Sequence, residues 1–532
     1  MEQQHVWVVC SKRDHRLFER AKPVGEFNVV GLPLPFCIRL RIFDRAAYLQ
    51  TPPAKSIKCL PGSRRGVEHV LRISIEHMNI SDFAHLRLIP FYVIVAIIGG
   101  ACSESGQLPS PRELPYRLEV VQERTGPIFL ADLEGDGRDE ILRYSGAYNY
   151  GSKLLGQPKS IVLETWNGKV IEQVNYAWPV HAPHTSDLTG NGTLEVLVPF
   201  VRRDSLFMSV VDGMGHKIEE FYVTSGHSRV EPEGTMPWDP EVLDVFASDI
   251  DGNGRRELVT IVETHFARLP RGVFIHRWPS GEFVGKQVVG ATLRQRKVGQ
   301  FDGDAYQELL IAGPATNNGA EAGGMSDRNA YIYTLEIGPM PRVQWKRLVG
   351  GVWAWAHICT GDLDADGARD YIAFASQHRK RPRPSEIRRI DPATGDSYLQ
   401  TTLSEPIRNA IMVDIDSKPG DDIVALGQSG RIYVLGSDLQ VTRTAQFTPD
   451  ARNLLSLSDL DGNGNDEILL QTTSRTIMLG PNLEARAIAH LSADMWERIQ
   501  YPDEKFPLLH ARHREGSVTL RVQKNPYYWL YR

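Results

Sequence analysis

The sequence predicts an all-β chain folded as a seven-bladed β-propeller of four-stranded antiparallel blades. Two observations predict it. A nine-residue acidic loop returns seven times at start-to-start spacings of 45 to 62 residues, which is the mark of a repeat architecture. Short apolar, often β-branched runs follow these loops, such as Leu258-Val-Thr-Ile and Ile468-Leu-Leu-Gln, and read as buried strands. Turn dipeptides at Asn167-Gly168, Asp212-Gly213, Ser280-Gly281, Thr394-Gly395 and Ser429-Gly430 then join two further strands. Each unit is therefore strand, loop, strand, strand, turn, strand.

Composition agrees with a large repetitive domain. The chain has 532 residues, 42% of them hydrophobic and 23% charged, a globular balance. Its 60 basic residues against 65 acidic ones argue against a nucleic-acid binder. Of five cysteines only Cys359 lies in the long body, so neither a disulfide framework nor a zinc spacing is present there.

In chain order, residues 1–77 come first. They carry 13 basic and 7 acidic side chains without a sustained period of 2 or 3.6, and read as a non-native or disordered extension ahead of a natural start at Met78. Residues 78–102 read as an export signal. The apolar run Leu88–Ala101 is short for a bilayer span but suits a signal-peptide core. Ile98-Gly-Gly-Ala-Cys102 resembles a bacterial lipobox, with Gly99 where a larger aliphatic residue is commoner, and this resemblance implies acylation at Cys102. An ordinary signal peptide or a buried helix are the alternatives. Residues 103–115 are polar and Pro-rich, as a tether would be. The chain is then expected to be exported, as an outer-membrane or cell-surface lipoprotein or in the periplasm.

The seven loops are chemically alike. Oxygen donors at positions 1, 3 and 5, a backbone carbonyl at 7 and a carboxylate at 9 suit one hard cation, and the flexible geometry favours Ca²⁺ over Mg²⁺. The candidate ligands are Asp132, Glu134, Asp136, Arg138 and Glu140; Asp187, Thr189, Asn191, Thr193 and Glu195; and Asp249, Asp251, Asn253, Arg255 and Glu257. They continue with Asp302, Asp304 and Glu308; Asp362, Asp364, Asp366, Ala368 and Asp370; Asp414, Asp416 and Asp422; and Asp459, Asp461, Asn463, Asn465 and Glu467. Position 12 carries no acid in any copy, which excludes an EF-hand. Loops at 132, 249, 362 and 459 keep every oxygen ligand. The loop at 187 has fewer carboxylates, Gln300 and Ala305 fray the fourth, and Lys418 puts an ammonium near the ion's place in the sixth. The cation is expected to be structural, since crowded carboxylates repel until neutralised.

These loops resemble the FG-GAP or VCBS-type repeats of integrin α chains and many bacterial surface proteins, over a propeller domain at 116–492. The resemblance implies calcium-binding blades; it leaves function open, because such repeats occur in adhesins, lectins, lyase domains and sensor ectodomains.

Function is expected at the channel mouth or on loops between blades. There the sequence offers His181, Trp353, Trp355, His357, Arg408 and Arg452, with His184, Arg294, Arg296, Asn409 and Asn453 nearby. Trp with Arg, His and Asn suits stacking on sugar faces and bonding to hydroxyls or carboxylates. Packing of the tryptophans between blades and pairing of the arginines with acids is the plainer reading. Ala315–Asp327 reads as a long exposed hairpin loop and His378–Pro384 as a basic excursion. No nucleophile elbow, phosphate loop or zincin pattern occurs. A monomeric, non-catalytic binder of a glycan or protein is favoured, with a lyase-like polysaccharide enzyme or a sensor ectodomain as alternatives. Residues 493–532 are expected to close or cap the ring, or to add an incomplete eighth blade, with a strand near Tyr116–Gln122 completing it.

Overall fold

The computed structural model describes residues 114–525, apart from 126–127, 146–158, 167, 179, 227–237, 239, 265–268, 378–382, 417, 458–464, 494, 500–507 and 514–515. It also describes four strands of the leading segment. The chain divides into two units, Met1–Glu104 and Ser105–Arg532. In the first, His5–Val8, Gly25–Asn28, Ile38–Asp44 and His69–Ile75 form one antiparallel sheet in the order first, fourth, third, second. The expected signal at 78–102, Cys102 with it, and the tether as far as 113 lie outside the described residues.

The second unit is a β-propeller of eight four-stranded antiparallel blades. This corrects the expectation of seven. Blades 1 to 7 occupy residues 128–176, 184–225, 240–288, 295–350, 354–403, 407–446 and 453–489, each a meander whose first strand lies innermost. Blade 8 takes Met495–Ile499, Leu508–His513 and Gly516–Lys524 from the C-terminal end and Tyr116–Thr125 from the start of the unit as its outermost strand. The register of that pairing runs from Lys524 opposite Tyr116 to Gly516 opposite Thr125. The eighth blade is complete, and it escapes a repeat count for a physical reason. The sequence between its first two strands, Gln500-Tyr-Pro-Asp-Glu-Lys-Phe506, lacks the acidic loop grammar, and its strands come from distant parts of the chain.

Second strands explain the apolar runs. In blade 3, Glu257–Thr264 is buried at every residue. Leu258 and Val262 face blade 2 in one cluster with Leu197, Met208 and Phe221. Val259 and Ile261 face blade 4 in another with Leu309, Ile311 and Tyr333. A strand covered on both faces needs no polar alternation, and each such side chain contributes about 1.5–3 kcal/mol of burial. The same pairing of neighbouring blades recurs from blade 1 through blade 8. Fourth strands, at the outer edge, alternate instead: Lys217–Ser225 and Ser397–Leu403 expose every second or third side chain.

Because strands alternate in direction, the acidic loops and the hairpin turns between third and fourth strands share one rim. Interblade connections and the turns between second and third strands share the other. On that second rim blade 4 carries its insertion, and the expectation of an exposed hairpin loop at Ala315–Asp327 holds only in part, with Asn317, Gly319, Glu321, Gly323 and Gly324 exposed. The segment folds back with a short strand pair, Glu321–Ala322 and Met325–Ser326. Ala315, Ala320, Met325 and Asp327 are buried. The Asp327 carboxylate accepts bonds from Thr316 Oγ1 at 3.2 Å and from the backbone N–H groups of Asn318, Gly319 and Ala320 at 2.9, 3.0 and 3.2 Å. The buried Arg271 guanidinium of blade 3 stands 3.6 Å away. Glycine permits the close approach on both sides: a Cβ on Gly290, ahead of blade 4, would meet Met325 O at 2.2 Å, and one on Gly323 of the insertion would meet Val288 O at 2.9 Å.

Candidate metal centres and the opposite rim

The acidic loops fold by a shared set of local bonds. The position-9 carboxylate turns inward and accepts the backbone N–H of position 2: Glu140 from Leu133 at 2.9 Å, Glu195 from Leu188 at 2.8 Å, Glu257 from Ile250 at 3.1 Å, Glu308 from Phe301 at 2.6 Å and Asp370 from Leu363 at 2.9 Å. The position-1 carboxylate accepts N–H groups of positions 5 and 6, as Asp249 does from Asn253 at 3.0 Å and Gly254 at 2.9 Å. Position 5 caps position 7, as Asn253 does for Arg255 at 2.8 Å. Gly254 has φ +81°, a conformation that a side chain would strain. The spacing that makes a ligand set is thus also the spacing of a self-bonded turn.

Three loops gather carboxylate oxygens within 4.8 Å of one another: Asp249, Asp251 and Glu257 in blade 3; Asp302, Asp304 and Glu308 in blade 4; and Asp362, Asp364 and Asp370 in blade 5. In blades 3 and 4 the set fits a hard cation. Glu257 is 1% exposed and Glu308 fully buried, and the second oxygen of each, Oε1, has no hydrogen-bond partner. Burying an unpartnered anionic oxygen is costly unless a cation neutralises it. Burial pushes the Glu308 carboxyl up to about 7, with Asp302, Asp304 and Glu336 adding to the rise. Burial also raises Glu257, with Asp251 and Asp249 adding to it.

The quality ranking drawn from sequence therefore changes at blade 4. Its frayed loop gathers three acids while Gln300 holds the turn by bonds of its own. The Gln300 Oε1 accepts from Gly303 at 2.8 Å, and its Nε2 donates to the Tyr306 carbonyl at 3.0 Å. The loops at 132 and 187 keep the self-bonded turn, but their acids do not form such a cluster among the described residues. Asp459, Asp461 and Asn463 lie outside the described residues; Glu467 is buried, with Arg486 Nη1 at 3.7 Å.

In blades 5 and 6 basic side chains enter the acidic turns. Arg389 Nη2 contacts Asp364 Oδ2 at 2.7 Å and also Asp370 Oδ1. Lys418 Nζ lies 2.6 Å from Asp416 Oδ2, and Arg443 Nη2 lies 3.4 Å from Asp416 and 3.6 Å from Asp422. The Arg389 hydrogen bond holds Asp364 below the ordinary carboxylate range. Neighbouring loops are also tied together. The position-8 backbone N–H of Asp421 donates to Asp362 O at 2.7 Å, that of Asp466 donates to Asp414 O at 3.2 Å, and the Arg256 guanidinium reaches Asp187 O.

On the opposite rim the sequence candidates divide. Trp355, 42% exposed, stacks on His357 with ring centroids 5.7 Å apart and planes 20° apart. His357 Nδ1 lies 3.0 Å from Gln295 Nε2 of blade 4, whose Oε1 accepts the Ile358 N–H at 2.6 Å. Trp353 has φ +67° and donates its N–H to Ala315 O at 3.3 Å, so the blade 4 insertion buttresses this corner. Of the other candidates, Arg294, Arg296 and Arg408 reach beyond their own blade, whereas the backbone bonds of His181 and Arg452 do not. Arg408 Nη2 donates to Gln428 O at 3.3 Å and Pro449 O at 3.5 Å. Arg294 pairs with Glu241 at 3.0 Å, and Arg296 donates to Leu243 O at 2.8 Å. His181 is buried, and its backbone N–H donates to Pro199 O at 2.8 Å. Arg452 is exposed, with its backbone N–H on Gln471 O at 2.7 Å. Burial lowers His184 below the usual histidine range.

Sequence reasoning missed Arg389, Gln295 and the bridging role of Asn409, whose Nδ2 donates to Leu454 O at 2.8 Å and whose Oδ1 accepts from Leu454 N at 3.1 Å. From sequence, Asn409 reads only as a possible ligand contact. The signal for Arg389 was present, since a charged residue stands at a repeat position otherwise uncharged.

Fold and rims together define the class: an eight-bladed β-propeller with acidic turns on one rim and an aromatic corner on the other. No protein-family model matches the chain, and no curated protein matches it. Solved structures that it is similar to include BamB from Moraxella catarrhalis, at 12% identity over 76% of this chain and 99% of that one, with a TM-score of 0.42. BBS1N in complex with ARL6DN is similar at 10% identity over 76% and 93%, with a TM-score of 0.38. The quinohemoprotein alcohol dehydrogenase ADHIIG from Pseudomonas putida HK5 is similar at 8% identity over 79% and 78%, with a TM-score of 0.42.

Proposed function

We propose that this chain is a calcium-stabilised, non-catalytic β-propeller of the FG-GAP or VCBS type that binds a glycan or protein ligand on its aromatic rim. In this reading it is exported and anchored through an acylated Cys102. The observation that carries the proposal is the unpartnered, buried Oε1 of Glu257 beside Asp249 and Asp251. An all-oxygen set of that charge suits Ca²⁺, which accepts six to eight oxygens in flexible geometry. The ion's binding energy adds directly to folding. On the other rim, Trp355 offers an exposed indole whose orientation is fixed by stacking on His357. That is a platform for the apolar face of a sugar ring or an apolar protein side chain.

The test combines melting with retention. Chelation of the full body is expected to lower Tm and calcium to restore it. Trp355→Ala is expected to abolish retention on a glycan array or a candidate protein ligand without moving Tm. Unchanged Tm in excess chelator would remove calcium from the reading, and undiminished retention by Trp355→Ala would remove the aromatic rim.

A further inference from the structure

The propeller's own sheet register allows every acidic loop to be compared at equivalent backbone positions. The residue two places beyond each position-9 acid pairs with a third-strand partner, at the same remove from the loop in every blade. In blades 1, 2, 3, 4, 6 and 7 the partners are Leu163, Val210, Ile275, Thr334, Val434 and Met478. All six are uncharged and fully buried. In blade 5 the partner, opposite Ile372, is Arg389.

That arginine is aimed at the acids. Its Nη2 bridges position 3, Asp364, at 2.7 Å and position 9, Asp370. These are the two positions whose counterparts in blade 3, Asp251 and Glu257, gather with Asp249 into an acidic set. The guanidinium carbon lies 5.3 Å from the Tyr398 ring centroid on the fourth strand, which adds a cation–π contact. A planar, always-charged group with several donors is well suited to neutralise two carboxylates at once.

We infer that the guanidinium of Arg389 is the built-in cation of blade 5, standing where a divalent ion stands in the acidic loops of blades 3 and 4. The inference rests on the reading that those two loops hold divalent ions. Blade 5 keeps the full acidic loop of a metal site, Asp362, Asp364, Asp366 and Asp370, yet closes without metal. The ring thereby has a metal-dependent arc at blades 3 and 4 next to a self-neutralised blade 5. Removing the arginine converts blade 5 into a divalent-cation site.

The test counts calcium bound per folded chain by equilibrium dialysis of the full-length protein, for the native chain, Arg389→Met and Arg389→Lys. Methionine is the residue blade 7 carries at this place, Met478, and lysine keeps a charge. Arg389→Met is expected to bind one calcium more than the native chain, and Arg389→Lys no more than the native chain. Adding Asp364→Asn to Arg389→Met is expected to abolish the extra ion, which places it in blade 5. Native protein that binds calcium while a folded Arg389→Met binds no more overturns the inference and leaves the reading of blades 3 and 4 standing. Native protein that binds none sinks that reading and the inference with it. Should Arg389→Met fold only with calcium present, the inference is supported; failure to fold with or without calcium overturns it.

Discussion

At the residue scale, one carboxylate is placed differently at its two oxygens. Glu257 Oε2 satisfies a buried backbone donor, and Oε1 has no hydrogen-bond partner. The gathering of Asp249, Asp251 and Glu257 was legible from spacing, because all three lie within nine residues. Arg389 was not legible in that way, since its closeness to Asp370 comes from strand pairing rather than from sequence distance. A second residue-scale consequence concerns His276. It is 1% exposed, between the rings of Phe221 at 5.2 Å and Phe283 at 5.6 Å. Burial lowers its pKa from 6.5 to about 4. The unfolded chain takes up this proton near pH 6.5 and the folded chain only near pH 4, so stability is intact above pH 6.5 and falls as pH drops through that window. The full loss is about 3 kcal/mol. Urea midpoints are expected to fall between pH 7 and pH 4.5 more steeply for the native chain than for His276→Phe; equal slopes would contradict this role.

At the element scale, strand identity was well marked where both faces are buried and poorly marked where an element borrows its cover. The second strands announce themselves by continuous apolar runs such as Leu309-Leu-Ile-Ala. The blade 4 insertion does not. Its Gly, Asn and Ser content reads as solvated, whereas the burial of Asp327 by four donors and Arg271 helps make it an ordered buttress. Asp327→Ala would remove one of the two carboxylates facing Arg271, leaving Glu263, and would strand three backbone N–H groups. A loss of about 3 kcal/mol is expected, at about 1–3 kcal/mol for each stranded buried donor, together with new proteolytic cleavage within 315–327. Because the insertion supports Trp353 through Ala315, retention at the aromatic rim should weaken as well. A variant with native melting and no new cleavage would show that the insertion is held by other contacts.

At the scale of the whole molecule, the ring closes by pairing a strand from each end of the propeller unit. Its blade count was hidden because the eighth blade lacks the acidic loop that marks the others. The closing strand Tyr116–Thr125 covers the edge of Gly516–Lys524, and Tyr116 joins the blade 7–blade 8 cluster with Leu469, Leu509, Leu520 and Val522. Asn525 adds a clasp, with its N–H on Pro115 O and its Nδ2 on Leu114 O, both at 2.8 Å. A chain beginning after residue 126 would keep seven whole blades but leave blade 8 with three strands and an unpaired edge. Such an edge is a template for pairing with another copy. The truncated chain is therefore expected to melt lower and to form concentration-dependent oligomers on size-exclusion chromatography. A synthetic peptide spanning 114–126, added in excess, should restore the monomer and raise Tm by occupying the vacant outer position. A peptide with Val120 and Val121 made charged should still restore it, because both side chains are exposed and the backbone ladder does the binding. If the truncated ring stays monomeric with native melting, closure by this strand contributes little to the ring, and the interblade clusters alone hold it shut.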